Sequence, residues 1–237
     1  MPEEWDGAAR ELEWDGAVNA RDLGGLPATG GPIQYGRVFR SAHPDALTEA
    51  GRDALLAAGI RTIVDLRNAD ERLAVRDIPG VEVHHHPVED QSDAAFMAEW
   101  GERLNTPAYY NAVLHRWPGL VTAVFARLAD APPGGVVIHC RAGCDRTGMI
   151  TAMLLSLAGT PVADILDDYE LALRTYAAGA DDRPLPDQTL DQHCAQACAD
   201  LVGFLGSVDV PGFLTSAGLT FEQLDRVRER LVATDFA

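Results

Sequence analysis

The sequence predicts an α/β fold, with a mainly parallel central sheet flanked by helices. Two observations carry that expectation. The runs 60–67 and 136–139 are β-branched and apolar, as in strands buried on both faces. Segments with helical apolar spacing alternate with such runs, the pattern of strands linked by crossover helices. The 237 residues, 47% of them hydrophobic, suffice for a sizeable core and are read as one domain over 1–237.

The elements follow in order. Asn19-Ala20-Arg21-Asp22-Leu23-Gly24-Gly25 and Thr29-Gly30-Gly31-Pro32 are turn-rich, and 38–41 is a short strand. A helix opens at Leu47-Thr48, runs through Leu55 and ends near Gly59. Strands follow over 60–67 and 81–88, then one long helix over 109–128 with Val113, Leu120, Val124 and Leu128 at helical spacing. Pro132-Pro133-Gly134-Gly135 breaks that helix before the strand at 136–139. A glycine-containing loop leads into a helix over 147–157 that ends at Gly159. Pro161 starts the next helix, and 181–186 is a polar, proline-containing connection. Two last helices cover 190–205 and 221–231, the second opened by Thr220 as cap.

Charge restricts the partners. The formal net charge is −17, and all 19 basic residues are arginine. So acidic a chain repels nucleic acid and anionic membrane surfaces, so an anionic ligand requires one local site that overcomes the global field. No stretch approaches the ~20 apolar residues of a membrane span. The acidic start, Met1-Pro2-Glu3-Glu4-Trp5-Asp6, has no export signal, which points to the cytoplasm. Cys140, Cys144, Cys194 and Cys198 form two C-x3-C pairs, a spacing looser than zinc knuckles use, and are read as reduced thiols. His84, His85 and His86 alternate across a strand, so the three cannot hold one metal ion.

The informative segment is His139-Cys140-Arg141-Ala142-Gly143-Cys144-Asp145-Arg146-Thr147-Gly148. It runs from an apolar strand through a short loop into a helix N-terminus, where free backbone N–H groups can face an anion. The Cys-x5-Arg spacing lets the loop curl into a nest of amides around a dianion. Arg146, re-entering on the far side, can clamp two of its oxygens with a planar fork. The same amides, helix dipole and guanidinium stabilise a thiolate, making Cys140 a phosphoryl-accepting nucleophile. Arg141, Ala142, Gly143 and Cys144 are the candidate binding residues, and Thr147 the hydroxyl placed to assist the sulfur when it leaves.

On these residues the chain resembles the bacterial atypical branch of the cysteine-based protein tyrosine phosphatase superfamily. The likeness extends to Asn19-Ala20-Arg21-Asp22-Leu23-Gly24-Gly25, to Arg40-Ser41, to Asp65-Leu66-Arg67 with Glu71, and to Asp168-Tyr169. It implies the cysteine-phosphatase fold, no metal or cofactor, a phosphocysteine intermediate and phosphorylated protein or small phosphomonoester substrates. One position departs from the branch: Cys144 stands where its loop lysine would be, which tells against the most highly anionic substrates. Cys144 is read either as a small neutral filler or as a redox partner for Cys140.

The general acid has two candidates. The resemblance assigns it to Asp145, while Asp90 lies where other branches carry the acid on a movable loop. Trp117-Pro118-Gly119 resembles the acid loop of larger phosphatases but has glycine in place of the acid. His139, Asp65, Arg67 and Asp22 are expected in support: His139 fixing the loop, Asp65 and Arg67 orienting Arg146, rimming the pocket or capping their strand as an ion pair, and Asp22 shaping a turn. The stretch 176–205 is a candidate lid or a plain connection with a surface helix. Two other readings remain, a catalytically silent phosphate-binding module and a rhodanese-like sulfurtransferase. Intact Cys140, Arg146 and Thr147 oppose the first, and Arg146-Thr147-Gly148 opposes the second.

Overall fold

The computed structural model describes residues 10–72, 77–179 and 189–232. Five strands form one sheet: β1 (Arg21–Asp22), β2 (Val38–Ser41), β3 (Ile60–Asp65), β4 (Glu82–His85) and β5 (Gly135–His139), in the order β1-β2-β5-β3-β4. All pairings are parallel except β1 with β2. The expected mainly parallel α/β architecture is therefore present. Register aligns Ser41, His139 and Asp65 across the three central strands, so the loops leaving them start side by side.

Side chains alternate across the sheet and build two apolar clusters. Val38, Val64, Val136 and Ile138 pack on one face, Phe39, Ile63 and Val137 on the other. The second face is covered by α1 (Glu49–Ala57) through Leu55. The first carries the larger helical layer. It comprises α2 (Ala94–Trp100), α3 (Tyr110–Arg116), α4 (Pro118–Asp130), α5 (Asp145–Ala158), α6 (Val162–Gly179), α7 (Leu190–Ser207), α8 (Val210–Ser216) and α9 (Phe221–Leu231). Helix α5 is buried nearly all round, with its first turn at the cleft.

Some expectations are corrected. The long helix over 109–128 is two helices, broken at Trp117, because Pro118 has no N–H to continue the ladder and opens α4 instead. Trp117 is anchored at that break by edge-on packing against Phe96, with ring centroids 4.7 Å apart. Strand β4 stops at His85 rather than Val88, shortly before Pro87. Among the short elements not foreseen are β1, α2 (capped by Asp93) and α8. The 181–186 connection lies outside the described residues. Of the candidate lid, 180–188 are likewise outside, while the part in α7 buries His193, Cys194, Ala197, Leu201 and Phe204 and belongs to the core.

No single described helix is long and apolar enough to cross a membrane. Among the described residues no group of three or more His, Cys, Asp or Glu side chains is placed to hold a metal ion.

Candidate active site

The loop 140–144 leaves the central strand β5 and enters α5 at Asp145. Three supports pull its carbonyls outward. The backbone N–H of His43 donates to Arg141 O at 3.2 Å, Asn19 Nδ2 to Ala142 O at 3.1 Å, and Arg40 Nη2 to Gly143 O at 2.7 Å. In a trans peptide the next N–H points opposite to the C=O. The amides of Ala142, Gly143 and Cys144 are therefore turned away from those supports, to the cleft side. The first-turn amides of α5 join them, since no side chain caps that helix. Gly143 holds φ +71°, and a Cβ there would sit 2.6 Å from the Ser41 carbonyl, so only glycine closes the loop against β2.

The supports are themselves fastened by buried charge. Asp168 on α6 receives Arg10 Nη2 at 2.5 Å and Arg40 Nη1, with Arg21 Nε 3.6 Å away, and all four side chains are 1% exposed. Burial raises the Asp168 carboxyl, but the charges of Arg40, Arg21 and Arg10 outweigh it and hold the group well below the usual carboxylate range. Burial pulls Arg21 down to about 10, with Asp168 opposing and Arg40 and Arg10 adding to the effect. Arg21 also donates to Asn19 Oδ1, which orients the amide that holds Ala142. Asp22 accepts from Gly24 N (2.8 Å) and Gly36 N (2.7 Å), so it shapes the turn, as the Leu-Gly-Gly after it implied. Burial raises its carboxyl above the ordinary value.

The loop faces an open cleft of about 430 Å³. Cys140, Arg146 and Asp145 line it at the base, with Arg141 exposed at its mouth. Arg146 is gripped by Glu71, whose two oxygens take Nη1 and Nη2, the second at 2.7 Å. Glu71 is fixed in turn by accepting from Asn68 N at 2.8 Å. Burial lowers the Arg146 guanidinium, but Glu71, the Cys140 sulfur and Glu89 reverse that and raise it. Thr147 is fully buried beneath the loop, its hydroxyl without a hydrogen-bond partner among the described residues. Gly148 gives room for the Tyr169 ring, which a Cβ would approach to 2.5 Å. Tyr110 Oη donates to Asp145 O at 2.7 Å and pins the helix start.

Of the alternatives for Asp65 and Arg67, the structure shows the strand-end cap and ion pair rather than contact with Arg146. They pair with each other (Nη2 to Oδ2, 2.9 Å), Arg67 reaches Asp45, and Arg72 reaches Asp65, all on the far side of β5. Burial would raise the Asp65 carboxyl, but hydrogen bonds from Arg67 and the nearby His139 hold it at about 2. His139 is buried, with Nδ1 3.1 Å from Cys140 O and Nε2 3.8 Å from Asp65 Oδ1. Burial lowers its imidazole to about 4, so at neutral pH it is an uncharged loop anchor. Cys144 was expected among the binding residues. Its side chain instead turns away from the cleft, donating to Ala172 O at 3.3 Å and accepting from Asn19 Nδ2 at 3.5 Å. Only its backbone belongs to the nest. Asp90 is exposed and accepts from Ser92 N and Oγ, whereas its neighbour Glu89 faces the cleft.

A strand-borne thiol ringed by inward amides, with an arginine closing the ring, is built for a tetrahedral dianion. That construction defines the cysteine-based phosphatase class of α/β proteins. The chain belongs to the tyrosine phosphatase family, whose model matches residues 12–233. Among curated relatives, a tyrosine-protein phosphatase of Nostoc commune is 35% identical over 140 residues, covering 56% of this chain and 47% of the relative. The triple specificity protein phosphatase PtpB of Mycobacterium tuberculosis is 32% identical over 195 residues, covering 68% of each. A Cupriavidus necator relative is 33% identical over 168 residues, and the chain spans 62% of its length. Among solved structures, TpbA of P. aeruginosa matches with a TM-score of 0.47 at 19% identity, over 90% of this chain and 99% of that one.

Proposed function

We propose that this chain hydrolyses phosphomonoesters, protein phosphotyrosine foremost, through a phosphocysteine on Cys140. The observation that carries the reading is the placement of Cys140 and Arg146 at the base of one cleft, on a loop whose carbonyls are tied outward. The monoester dianion sits in the amides of Arg141, Ala142, Gly143 and Cys144, with Arg146 on two of its oxygens. The Cys140 thiolate attacks phosphorus and the bond to the leaving oxygen breaks. Asp145, half-buried in the cleft wall, gives that oxygen its proton. Water then attacks the thiophosphate, Asp145 takes its proton, and the Thr147 hydroxyl donates to the departing sulfur.

Asp145 is preferred to Asp90 because only Asp145 lines the cleft. Leu104 and Tyr176 at the rim offer apolar faces for an aryl ring, which supports phosphotyrosine. His139, Asp65, Arg67 and Asp22 act through the scaffold rather than on substrate. The setting proposed is the cytoplasm, because the mechanism needs Cys140 reduced.

The test is release of p-nitrophenol from p-nitrophenyl phosphate, with vanadate as inhibitor. Cys140→Ser is expected to lower kcat by at least about 10⁴-fold. On a poor leaving group, Asp145→Asn is expected to lose about 10²-fold in kcat and Asp90→Asn almost nothing. The absence of vanadate-sensitive release from the native chain overturns the proposal, and a panel of phosphotyrosine, phosphoserine and phosphoinositide substrates sets its breadth.

A further inference from the structure

The mechanism leaves one buried carboxyl of the cleft without a task. Glu89 is 1% exposed. Its Oε1 accepts from Gln91 Nε2 at 2.6 Å and stands 3.7 Å from Arg146 Nε. Its Oε2 is buried and has no hydrogen-bond partner among the described residues. Glu71 already occupies Nη1 and Nη2 of the same guanidinium. A planar fork has two edges, so the Nε edge is the one left for a phosphoryl group. Glu89 and an incoming dianion therefore compete for one donor edge.

Resting on the phosphatase reading above, we propose that Glu89 holds the inner edge of Arg146 in the empty cleft and yields it to a phosphoryl dianion by taking up one proton from solvent. The protonated oxygen is then a donor, and Oε2, which has no hydrogen-bond partner among the described residues, turns its O–H to the bound anion. Glu89 thus becomes a positioning residue that couples anion binding to proton uptake. The groups around it favour that exchange. Glu71 on the turn after β3 and Asp145 on α5 repel its negative charge, the Tyr109 phenol beside it is neutral, and Arg146 and the Gln91 amide favour the charged form. Glu102 and Arg141 line the same cleft further out. Burial, helped by Glu71 and Asp145 and opposed by Arg146 and Gln91, already raises its carboxyl above the ordinary value. A dianion adds to that repulsion and takes Arg146 away.

The experiment is titration calorimetry with tungstate, a dianion across the neutral range, in buffers of different ionisation enthalpy. The protein is the full chain carrying Cys140→Ser, which removes the thiolate as a rival proton acceptor. About one proton is expected to be taken up per tungstate, and Kd to weaken about tenfold per pH unit above the Glu89 titration. Adding Glu89→Gln should abolish the uptake and flatten Kd with pH, whereas Glu89→Asp should retain both. A merely structural Glu89 would weaken binding equally at every pH and leave the proton count unchanged. No uptake in the Cys140→Ser protein overturns the proposal even if the double variant does not fold, as does equal uptake with and without Glu89→Gln. Failure of the Cys140→Ser protein to bind tungstate, with no p-nitrophenyl phosphate turnover by the native chain, overturns the phosphatase reading as well. Turnover with a pH-independent Kd overturns only the role of Glu89.

Discussion

Two clusters of arginine and carboxylate flank the 140–144 loop, with opposite stoichiometry. Behind it, Arg10, Arg21 and Arg40 surround the single carboxylate of Asp168, sealed from water. In front, Glu71 and Glu89 take different edges of the single guanidinium of Arg146, on the wall of an open cleft. The rear cluster lies behind the loop and is spent on structure, since Arg40 and Asn19 hold the loop carbonyls. The front cluster sets two carboxylates against one guanidinium at the cleft. An acidic chain thus gathers arginine behind the loop and carboxylate in front of it.

The largest expected effect breaks the rear cluster. Asp168→Ala leaves three buried guanidinium groups without their shared counter-charge, and is expected to cost about 3–5 kcal/mol of stability, read from denaturant unfolding. Urea unfolding within ~1 kcal/mol of the native protein would show that the cluster is not structural.

Acid provides the next probe, from the third side of the loop. Burial holds His139 down at about 4, against an unfolded value near ~6.5. A group with a lowered folded pKa that binds its proton mainly when unfolded makes stability rise with pH between those two values. Folding stability should therefore be full above about pH 6.5 and decline by on the order of 3 kcal/mol as pH falls toward 4. Asp65, held at about 2, stays ionised through that window and adds its own loss only between about pH 4 and 2. Urea midpoints measured from pH 4 to 7 check this, and His139→Asn should flatten the slope.

The third prediction touches only the front cluster. Glu71→Gln removes the charge that grips Nη1 and Nη2 of Arg146, leaving the guanidinium free to swing from its catalytic pose. A fall of about 10²-fold in kcat/KM is expected, the scale of losing one preorganised donor, with stability changed by less than about 1 kcal/mol because Glu71 is only half-buried. Equal losses of activity and stability would erase the contrast between the two clusters.

What the sequence made legible follows the same division. Cys140, Asp145 and Arg146 lie within seven residues of one another, so their spacing alone places them around one anion. The strands at 60–65 and 135–139 were readable from their dense β-branched runs. Asp168 and its arginines span 158 positions from Arg10, and no local pattern joins them. Glu71 has a complete local explanation, since Asn68 and Glu71 form a capping box, and that reading hides its reach to Arg146. Glu89 and Asp90 are adjacent acids, and only the backbone after β4 decides which one faces the cleft. The break at Trp117 was concealed because apolar residues keep helical spacing on both sides of it.

The smallest expected effect falls at Cys144, where the loop and the rear cluster meet. The side chain is fully buried, and its thiol bridges Ala172 O and the Asn19 amide. A serine hydroxyl can donate to the same carbonyl and accept from the same amide, so Cys144→Ser should change stability by no more than about 1 kcal/mol and leave kcat/KM unaltered. A cationic side chain there would join a buried region that already holds the guanidinium groups of Arg10, Arg21 and Arg40. The same geometry decides the redox alternative. To pair with Cys140, the Cys144 sulfur must leave Ala172 and pass from the rear of the loop to its front. Mass spectrometry after mild peroxide should therefore find oxidised Cys140 without a Cys140–Cys144 crosslink, and a crosslink in high yield would show that the loop turns over far more readily than its outward-tied carbonyls allow.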